Sequence, residues 1–512
     1  METPLIINQY LERAERVYGD RVAIVDEPDQ PAESWGALTW REVADRARAQ
    51  AAGLDRLGVG EGERVAIVSH NSARLLTSFF GVSGSGRVLV PINFRLAAAE
   101  IAYIVDHCGA SVLLVDPELE DHLGAIGAPH RFTLGAVSDP ILYDFDAEPR
   151  GWSQPDERAT ATINYTSGTT ARPKGVQLTH RNLWLNAATF GWQTGVSDRD
   201  VILHTLPMFH VNGWGMPYAV TGMGGRHVVL RKVDGHEILR RVDEHGVTLL
   251  CGAPAVLQMV LDAAATWDGP VPGSGRTRMV VAGAPPPTRT IERAETELGW
   301  EFIQIYGLTE TSPVLTMNRG RAEYDALDAA ARAQALGRAG APALGIDVRI
   351  SADGEVHARG NAVMAGYWEQ PEATAEAIPD GWFHTGDGGI VDVDGYVQIL
   401  DRKKDVIISG GENVSSIEVE DALFSHAAVA EVAVIGIPHE KWGETVHALV
   451  VLAEGQSVTE AALIAHCRER LAHYKCPTGI EFRTELARTS TGKLQKFKLR
   501  EPYWAGRSRQ VN

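Results

Sequence analysis

The chain has 512 residues and a mass of 55.4 kDa, beyond the size at which one hydrophobic core usually stops growing, so at least two units are expected. Hydrophobic residues make up 44% and charged residues 22%, an ordinary globular balance, and the formal net charge of -18 disfavours a nucleic-acid or membrane-surface binder. Cys108, Cys251, Cys467 and Cys476 are too scattered for a disulfide framework or a zinc cluster, and they fit a reducing cytoplasm. The opening METPLIINQY does not read as a signal peptide, no window has the apolar run of a bilayer span, and no prenylation box closes the chain.

In chain order, Thr39 is placed to cap a helix starting at Trp40, with Glu42 in its first turn and Val43, Ala47 and Leu54 on one face. Arg64 to Val68 reads as a buried strand, Ser72 to Val82 as a helix, Val88 to Ile92 as a strand, Ala98 to Asp106 as a helix and Ser111 to Val115 as a strand. Such alternation implies a parallel sheet with crossover helices. Gly81 to Val88 fits neither GxGxxG nor a Walker A loop and reads as close packing at a helix end. Asp116 to Arg158 reads as an irregular acidic surface connection, after which the alternation resumes from Ala159 to about Tyr306.

Gly354 to Val356, His384 to Val393 and Tyr396 to Leu400 read as short strands, with a hairpin turn at Asp394-Gly395. Beyond Asp401 the pattern becomes a small α+β one: a helix over Ser416 to Phe424, strands at Ala430 to Ile435 and His447 to Leu452, and a helix over Glu460 to Ala472. The expected fold class is therefore α/β. It comprises a large N-terminal domain of parallel sheets with a β-rich subdomain (1–401) and a small mobile α+β C-terminal domain (402–512).

The stretch Thr166, Ser167, Gly168, Thr169, Thr170, Ala171, Arg172, Pro173, Lys174 and Gly175 follows an apolar run and should leave a strand as a loop. Hydroxyls, glycine backbone and one lysine suit a polyphosphate. From composition alone, a polar surface loop fits as well. The match goes further, because TSGTTARPKG resembles the phosphate-binding signature of the adenylate-forming superfamily, with Ala171 where glycine is usual. Four more segments resemble that family in the right order: Tyr306-Gly307-Leu308-Thr309-Glu310-Thr311, Thr385-Gly386-Asp387, Asp401-Arg402-Lys403-Lys404-Asp405 and Ser490-Thr491-Gly492-Lys493.

The resemblance implies an acyl-CoA synthetase. A carboxylate attacks the α-phosphorus of ATP, pyrophosphate leaves, and the acyl-AMP passes its acyl group to coenzyme A. Both reactants are anionic, so cations and donors must face the developing charge. By resemblance Lys493 bridges carboxylate and α-phosphate, Glu310 holds Mg²⁺, a hard cation that prefers oxygen, and Thr309 donates to the α-phosphate. Tyr306 offers a face to adenine, Gly283, Ala284 and Pro285 form the opposite wall, and Asp387 and Arg402 bind the ribose. His210 gates the passage to the thiol tunnel, and Val211, Asn212, Gly213, Trp214, Gly307 and Leu308 line the acyl pocket. Gly410, Gly411 and Glu412 flank the pantetheine tunnel, and Lys404 is the pivot of the mobile domain.

His210-Val211-Asn212 carries no carboxylate where amino-acid-activating relatives place an aspartate, so an amino acid substrate is rejected. Gly307 stands where acetyl-CoA synthetases carry tryptophan, so acids larger than propionate are expected: fatty, aromatic or polycyclic. The expected partners are that acid, ATP and CoA. The alternatives are an acyl-AMP ligase that delivers to a carrier protein or amine, and a non-catalytic nucleotide-binding relative. Lys493→Ala should remove most acyl-AMP formation, by about 100-fold or more, and spare conversion of supplied acyl-AMP with CoA. Equal loss of both half-reactions would sink the assignment.

Overall fold

In this computed structural model, which describes residues 2–166, 172–488 and 494–505, local signals start the main elements where the side chains can satisfy free backbone groups. Thr39 and Glu42 close a capping box on the helix Trp40–Arg56: Glu42 N donates to Thr39 Oγ1 at 3.3 Å and Thr39 N to Glu42 Oε2 at 2.7 Å. Ser72 likewise caps Ala73–Gly81, accepting from Leu75 N at 3.1 Å. The Gly81 to Val88 stretch is close packing, since a Cβ at Gly84 would lie 2.3 Å from the Asn8 amide.

Two large sheets carry the N-terminal bulk. One runs Gly366–Tyr367, Lys174–Thr179, Thr160–Thr166, Val88–Ile92, Arg64–Val68, Ala110–Val115 and His130–Thr133. The other has nine strands, from Ala341–Pro342 through Val314–Asn318, Glu301–Gly307, Arg278–Val281, Leu249–Gly252, Val201–His204, Arg226–Val229 and Val22–Val25 to Ala37–Thr39. From Glu301–Gly307 to Val22–Val25 neighbouring strands are parallel, as the alternation predicts. Their apolar runs are buried because crossover helices cover them. Asn71, just after the strand Arg64–Val68, ties in the second sheet. Its Nδ2 donates to the carbonyls of His204, Leu206 and Leu230 at 2.9–3.2 Å, and its Oδ1 accepts from Met208 N at 2.8 Å.

A four-stranded antiparallel sheet follows, Ile346–Ile350, Glu355–Gly360, Phe383–Val391 and Val397–Arg402, and Gly395 turns the last hairpin at φ +80°. The last sheet joins Glu412–Val414, Ile407–Ser409, Gly443–Leu452 and Val429–His439, with Gly479–Arg483 parallel to Gly443–Leu452. It has its own core of Ile407, Val434, Val446 and Leu463.

The segment 116–158 departs from its expectation as a surface connection. His130–Thr133 is the edge strand of the seven-stranded sheet, and Asp116 is buried against Arg231 at 2.8 Å. The strand HRFT lacks an apolar run, so its pattern was silent. Asp139 pairs with the buried Arg74, and Asp144 with Arg56.

His204 and His227 lie on adjacent strands with no access to solvent, stacked at 5.2 Å and bonded Nε2 to Nδ1 at 2.9 Å. Burial pushes His204 down to about 3 and, together with His204, holds His227 well below its ordinary 6.5. The unfolded chain therefore takes up protons first as pH falls. This stability is complete above about 6.5 and is lost progressively toward the folded value. The unfolding midpoint should drop below about pH 6.5, and His204→Gln should make that drop shallower. A wild-type midpoint unchanged down to about pH 5 would contradict the account.

Candidate active site

The ribose-site candidate is built from three strands. Gly386, at φ +73°, breaks the regular strand path where glycine is favoured. Thr385 Oγ1 donates to Val356 O at 2.7 Å and accepts from Asp387 N at 3.1 Å, and Gly386 N donates to Glu355 Oε1 at 2.8 Å. Asp387 is thereby fixed at 4% exposure. Its Oδ2 accepts from the Tyr306 hydroxyl at 2.7 Å, and Oδ1 lies 2.9 Å from Arg402 Nε. Burial and then Asp387 hold the Tyr306 hydroxyl well above its ordinary range, so it stays protonated and donates. Burial opposes the Arg402 charge, but Asp387, Tyr306 and Glu310 outweigh it and raise its pKa.

The second group sits at the hairpin Thr160–Thr166 and Lys174–Thr179, where Thr166 pairs with Lys174. Ser167, Gly168, Thr169 and Thr170 lie between them, outside the described residues. Lys174 Nζ lies 4.8 Å from the Tyr367 ring centroid, and the Tyr367 hydroxyl donates to Glu310 Oε1 at 3.0 Å. Glu310 is half-buried, with Thr309 beside it in the short helix Thr309–Thr311. Arg402 pairs with Asp387 of the first group, and the Glu310 carboxylate of the second also favours its charged form.

Gly283, Ala284 and Pro285 are exposed just past the strand Arg278–Val281. Val281, the last residue of that strand, pairs with Gln304, two residues before Tyr306 on the neighbouring parallel strand. Gly283, Ala284 and Pro285 thus follow the carboxyl end of Arg278–Val281, and Thr309 and Glu310 follow that of Glu301–Gly307.

The segment expected beside the acyl group is unusual. Val211, Asn212, Gly213 and Trp214 all have φ between +37° and +57°, a region that strains side chains other than glycine. Packing and hydrogen bonds hold it there. Val211 and Trp214 are buried in the main core, and His210 at the start of the segment is half-buried. Asn212 is fully buried, accepting from Asn164 Nδ2 and donating to Thr162 Oγ1, both at 3.1 Å, so it fixes the loop. At Gly307 a Cβ would fall 1.5 Å from Pro313 O, so glycine allows the close approach of two strands there. Leu308 next to it is half-buried against the core.

In the small sheet, Gly410 and Gly411, at φ +62° and +89°, form the two-residue turn between Ile407–Ser409 and Glu412–Val414, the backbone that tight hairpins need. Glu412 is exposed, and Trp442 O accepts from Gly410 N at 3.0 Å. Lys493 lies outside the described residues, and Arg488 and Leu494 pair antiparallel on either side of its segment. The linker is held from both sides. Lys403 N donates to Gly386 O at 3.0 Å, whereas Arg500 donates to Lys404 O at 3.1 Å and pairs with Asp405 at 2.8 Å. Lys404 is half-buried, and burial pulls its ammonium below the ordinary value.

Tyr367, Glu355, Asn164 and Asn71 escaped the sequence reading, because each acts through a partner distant in sequence. Tyr367 had one local signal, an aromatic side chain after Gly366 in a short apolar run. Gly307→Ala should lower stability by about 1–3 kcal/mol, read from denaturant unfolding, and impair activity on every acid alike. Unchanged stability with a shifted acid preference would put Gly307 in the pocket wall.

The family described as AMP-binding enzyme matches residues 11–368, and its C-terminal domain, AMP-binding enzyme C-terminal domain, matches 418–493. The chain is 36% identical to 4-hydroxybutyrate–CoA ligase 2 of Metallosphaera sedula, covering 97% of this chain and 94% of that protein. It is also 36% identical to a 2-methylpropanoate–CoA ligase of Humulus lupulus, over 98% and 95%. Among solved structures, an anthranilate CoA ligase in complex with anthranoyl-AMP superposes with TM-score 0.87 at 27% identity, covering 98% of each chain. O-succinylbenzoate coenzyme A synthetase from Bacillus subtilis, bound to AMP, gives 0.81 at 27%, over 98% and 99%. The geometry and these likenesses agree: the chain belongs to the AMP-binding enzyme family and is an AMP-forming acyl-CoA ligase.

Proposed function

We propose that this ligase activates a carboxylic acid larger than propionate in two steps that share one site. The observation that carries the reading is the buried Asp387 carboxylate, held by the Tyr306 hydroxyl at 2.7 Å and Arg402 Nε at 2.9 Å as an acceptor suited to two ribose hydroxyls. Asp387 takes the ribose hydroxyls in exchange for Tyr306 and Arg402, so the donors that hold it also hold the nucleotide's place. Tyr306 meets adenine on one side and Gly283, Ala284 and Pro285 on the other. Thr166, Ser167, Gly168, Thr169, Thr170 and Lys174 receive the phosphates, and Thr309 donates to the α-phosphate.

Glu310 offers a carboxylate oxygen to Mg²⁺, a hard cation that takes few protein ligands and fills its shell with water and phosphate oxygens. Among the described residues the Tyr367 hydroxyl donates to one oxygen of that carboxylate, which has acceptor capacity beyond one bond. Bound there, the ion neutralises phosphate charge, and Lys493 brings the acid carboxylate and α-phosphorus together.

The small domain, from 402 onward, then turns about Lys404 and presents Gly410, Gly411 and Glu412 to the incoming CoA, with His210 at the mouth of the passage. The clamps on either side of Lys404 support this pivot, because they leave its own dihedrals as the place for change. The acyl substrate is read from the relatives' substrates as a compact acid, of the size of butyrate or 2-methylpropanoate. The four free, buried cysteines support a reducing compartment, the cytoplasm.

The test is a panel of butyrate, 2-methylpropanoate, 4-hydroxybutyrate, anthranilate, a long-chain acid and acetate, scored for acid-dependent ATP–pyrophosphate exchange and for CoA consumption. The reading predicts exchange and thioester formation with the same compact acid, and little with acetate. Exchange without CoA consumption would turn the acceptor into a carrier protein or amine. No acid-dependent exchange in the panel, or a preference for acetate, would contradict the reading.

A further inference from the structure

A separate cluster of metal-ligating side chains lies on the four-stranded sheet. Glu355 and His357 are two residues apart on the strand Glu355–Gly360 and so share a face. His384, on Phe383–Val391, is the direct cross-strand partner of His357. The two imidazoles stack at 3.8 Å with 12° between their planes, and Glu355 Oε2 lies 3.8 Å from His357 Nε2. One ligand-type atom from each of the three residues lies within 4.8 Å of the others.

The cluster is built into the sheet. Glu355 is 9% and His357 6% exposed, and His357 Nδ1 is buried with no hydrogen-bond partner among the described residues. A buried polar nitrogen left so calls for an explanation. Burial and then the neighbouring His384 hold the His357 imidazole below its ordinary value, so it is neutral at pH 7 and keeps a lone pair.

We propose that Glu355, His357 and His384 form a binding site for a divalent transition-metal ion of the zinc class. Two imidazoles and one carboxylate are the donor set such ions take, whereas Mg²⁺ demands oxygen ligands in an octahedron. Tetrahedral coordination brings ligand atoms to about 3.3 Å from one another, so the rings rotate out of their stack as the ion enters. Lys403 competes for the same carboxylate, with Nζ 3.4 Å from Glu355 Oε2 and a second bond to Asp353. Arg349, the other cross-strand partner of His357, is turned over the Trp382 ring at 4.1 Å. The ion displaces Lys403 from Glu355 Oε2, while Oε1 keeps its bond from Gly386 N. It therefore sits between the strand that carries Asp387 and the residue before Lys404.

The test is titration of the full metal-free chain with Co²⁺, followed by visible d–d absorption, and with Zn²⁺ by calorimetry. One ion should bind per chain. His357→Gln and Glu355→Gln should each weaken binding by about 10-fold or more, and Lys403→Ala should tighten it. His384→Ala repeats the loss if His357→Gln fails to fold. No binding by the wild type, ligand variants that bind as tightly as the wild type, or a thiolate charge-transfer band with Co²⁺ would overturn the proposal. Affinity no tighter in Lys403→Ala would contradict the competition with Lys403.

Discussion

Asp387 is a carboxylate at 4% exposure whose only way to stay charged is to be held by donors. Tyr306 supplies one from the nine-stranded sheet, and Arg402 another from the end of the four-stranded sheet. The bond from Tyr306 joins two bodies of the fold at one atom pair. The ion pair with Arg402 sets the start of the linker, because Lys403 N is bonded to Gly386 O next door. On the proposed reading, a nucleotide would exchange these protein donors for ribose hydroxyls without exposing a bare charge. Asp387 thereby ties the candidate ribose site and the start of the linker to one side chain.

Beyond the linker a second buried network continues the chain of contacts. Asp401 Oδ2 accepts from Ser416 N at 3.1 Å, and Lys496 Nζ pairs with Glu420 at 2.8 Å and also bonds Ser416 Oγ. Lys496 follows the segment that contains Lys493 by three positions. The helix Ser416–Phe424 thus receives contacts from both the linker and the C-terminal segment. Thr288 of the large domain adds one more, donating to Asp421 from its N and Oγ1 at 2.8 and 2.9 Å. On the proposed rotation about Lys404 the Thr288 contacts and the Asp401–Ser416 bond, which cross the pivot, would break, whereas Lys496 and Glu420 would move together.

Much of the fold was legible because short-range physics set it. Thr39 caps the helix it was expected to cap, the helix expected over Ser72 to Val82 spans Ala73–Gly81, RVAIV is a buried parallel strand, and Asp394-Gly395 turns its hairpin. His130–Thr133 was illegible because an edge strand need not alternate. The nucleotide-side candidates Asp387, Glu310 and Lys174 each sit in a short distinctive segment. The packing around the acyl-side candidates was not legible. Asn212 bonds Asn164 and Thr162, some fifty positions away. Gly307 lies where the carbonyl of Pro313 occupies the place of a side chain. In both cases a partner outside the local segment sets the packing.

The account's central claim is that one chain serves both half-reactions by turning its small domain about Lys404. The native cysteines are buried, so spin labels on Val393→Cys and Glu454→Cys, both exposed, report the distance between the domains by pulsed dipolar spectroscopy. The account predicts one distance distribution with ATP and Mg²⁺ and a clearly different one with a non-hydrolysable acyl-AMP analogue and CoA. A single distribution, unchanged across both conditions in a protein that turns over its acid, would contradict it.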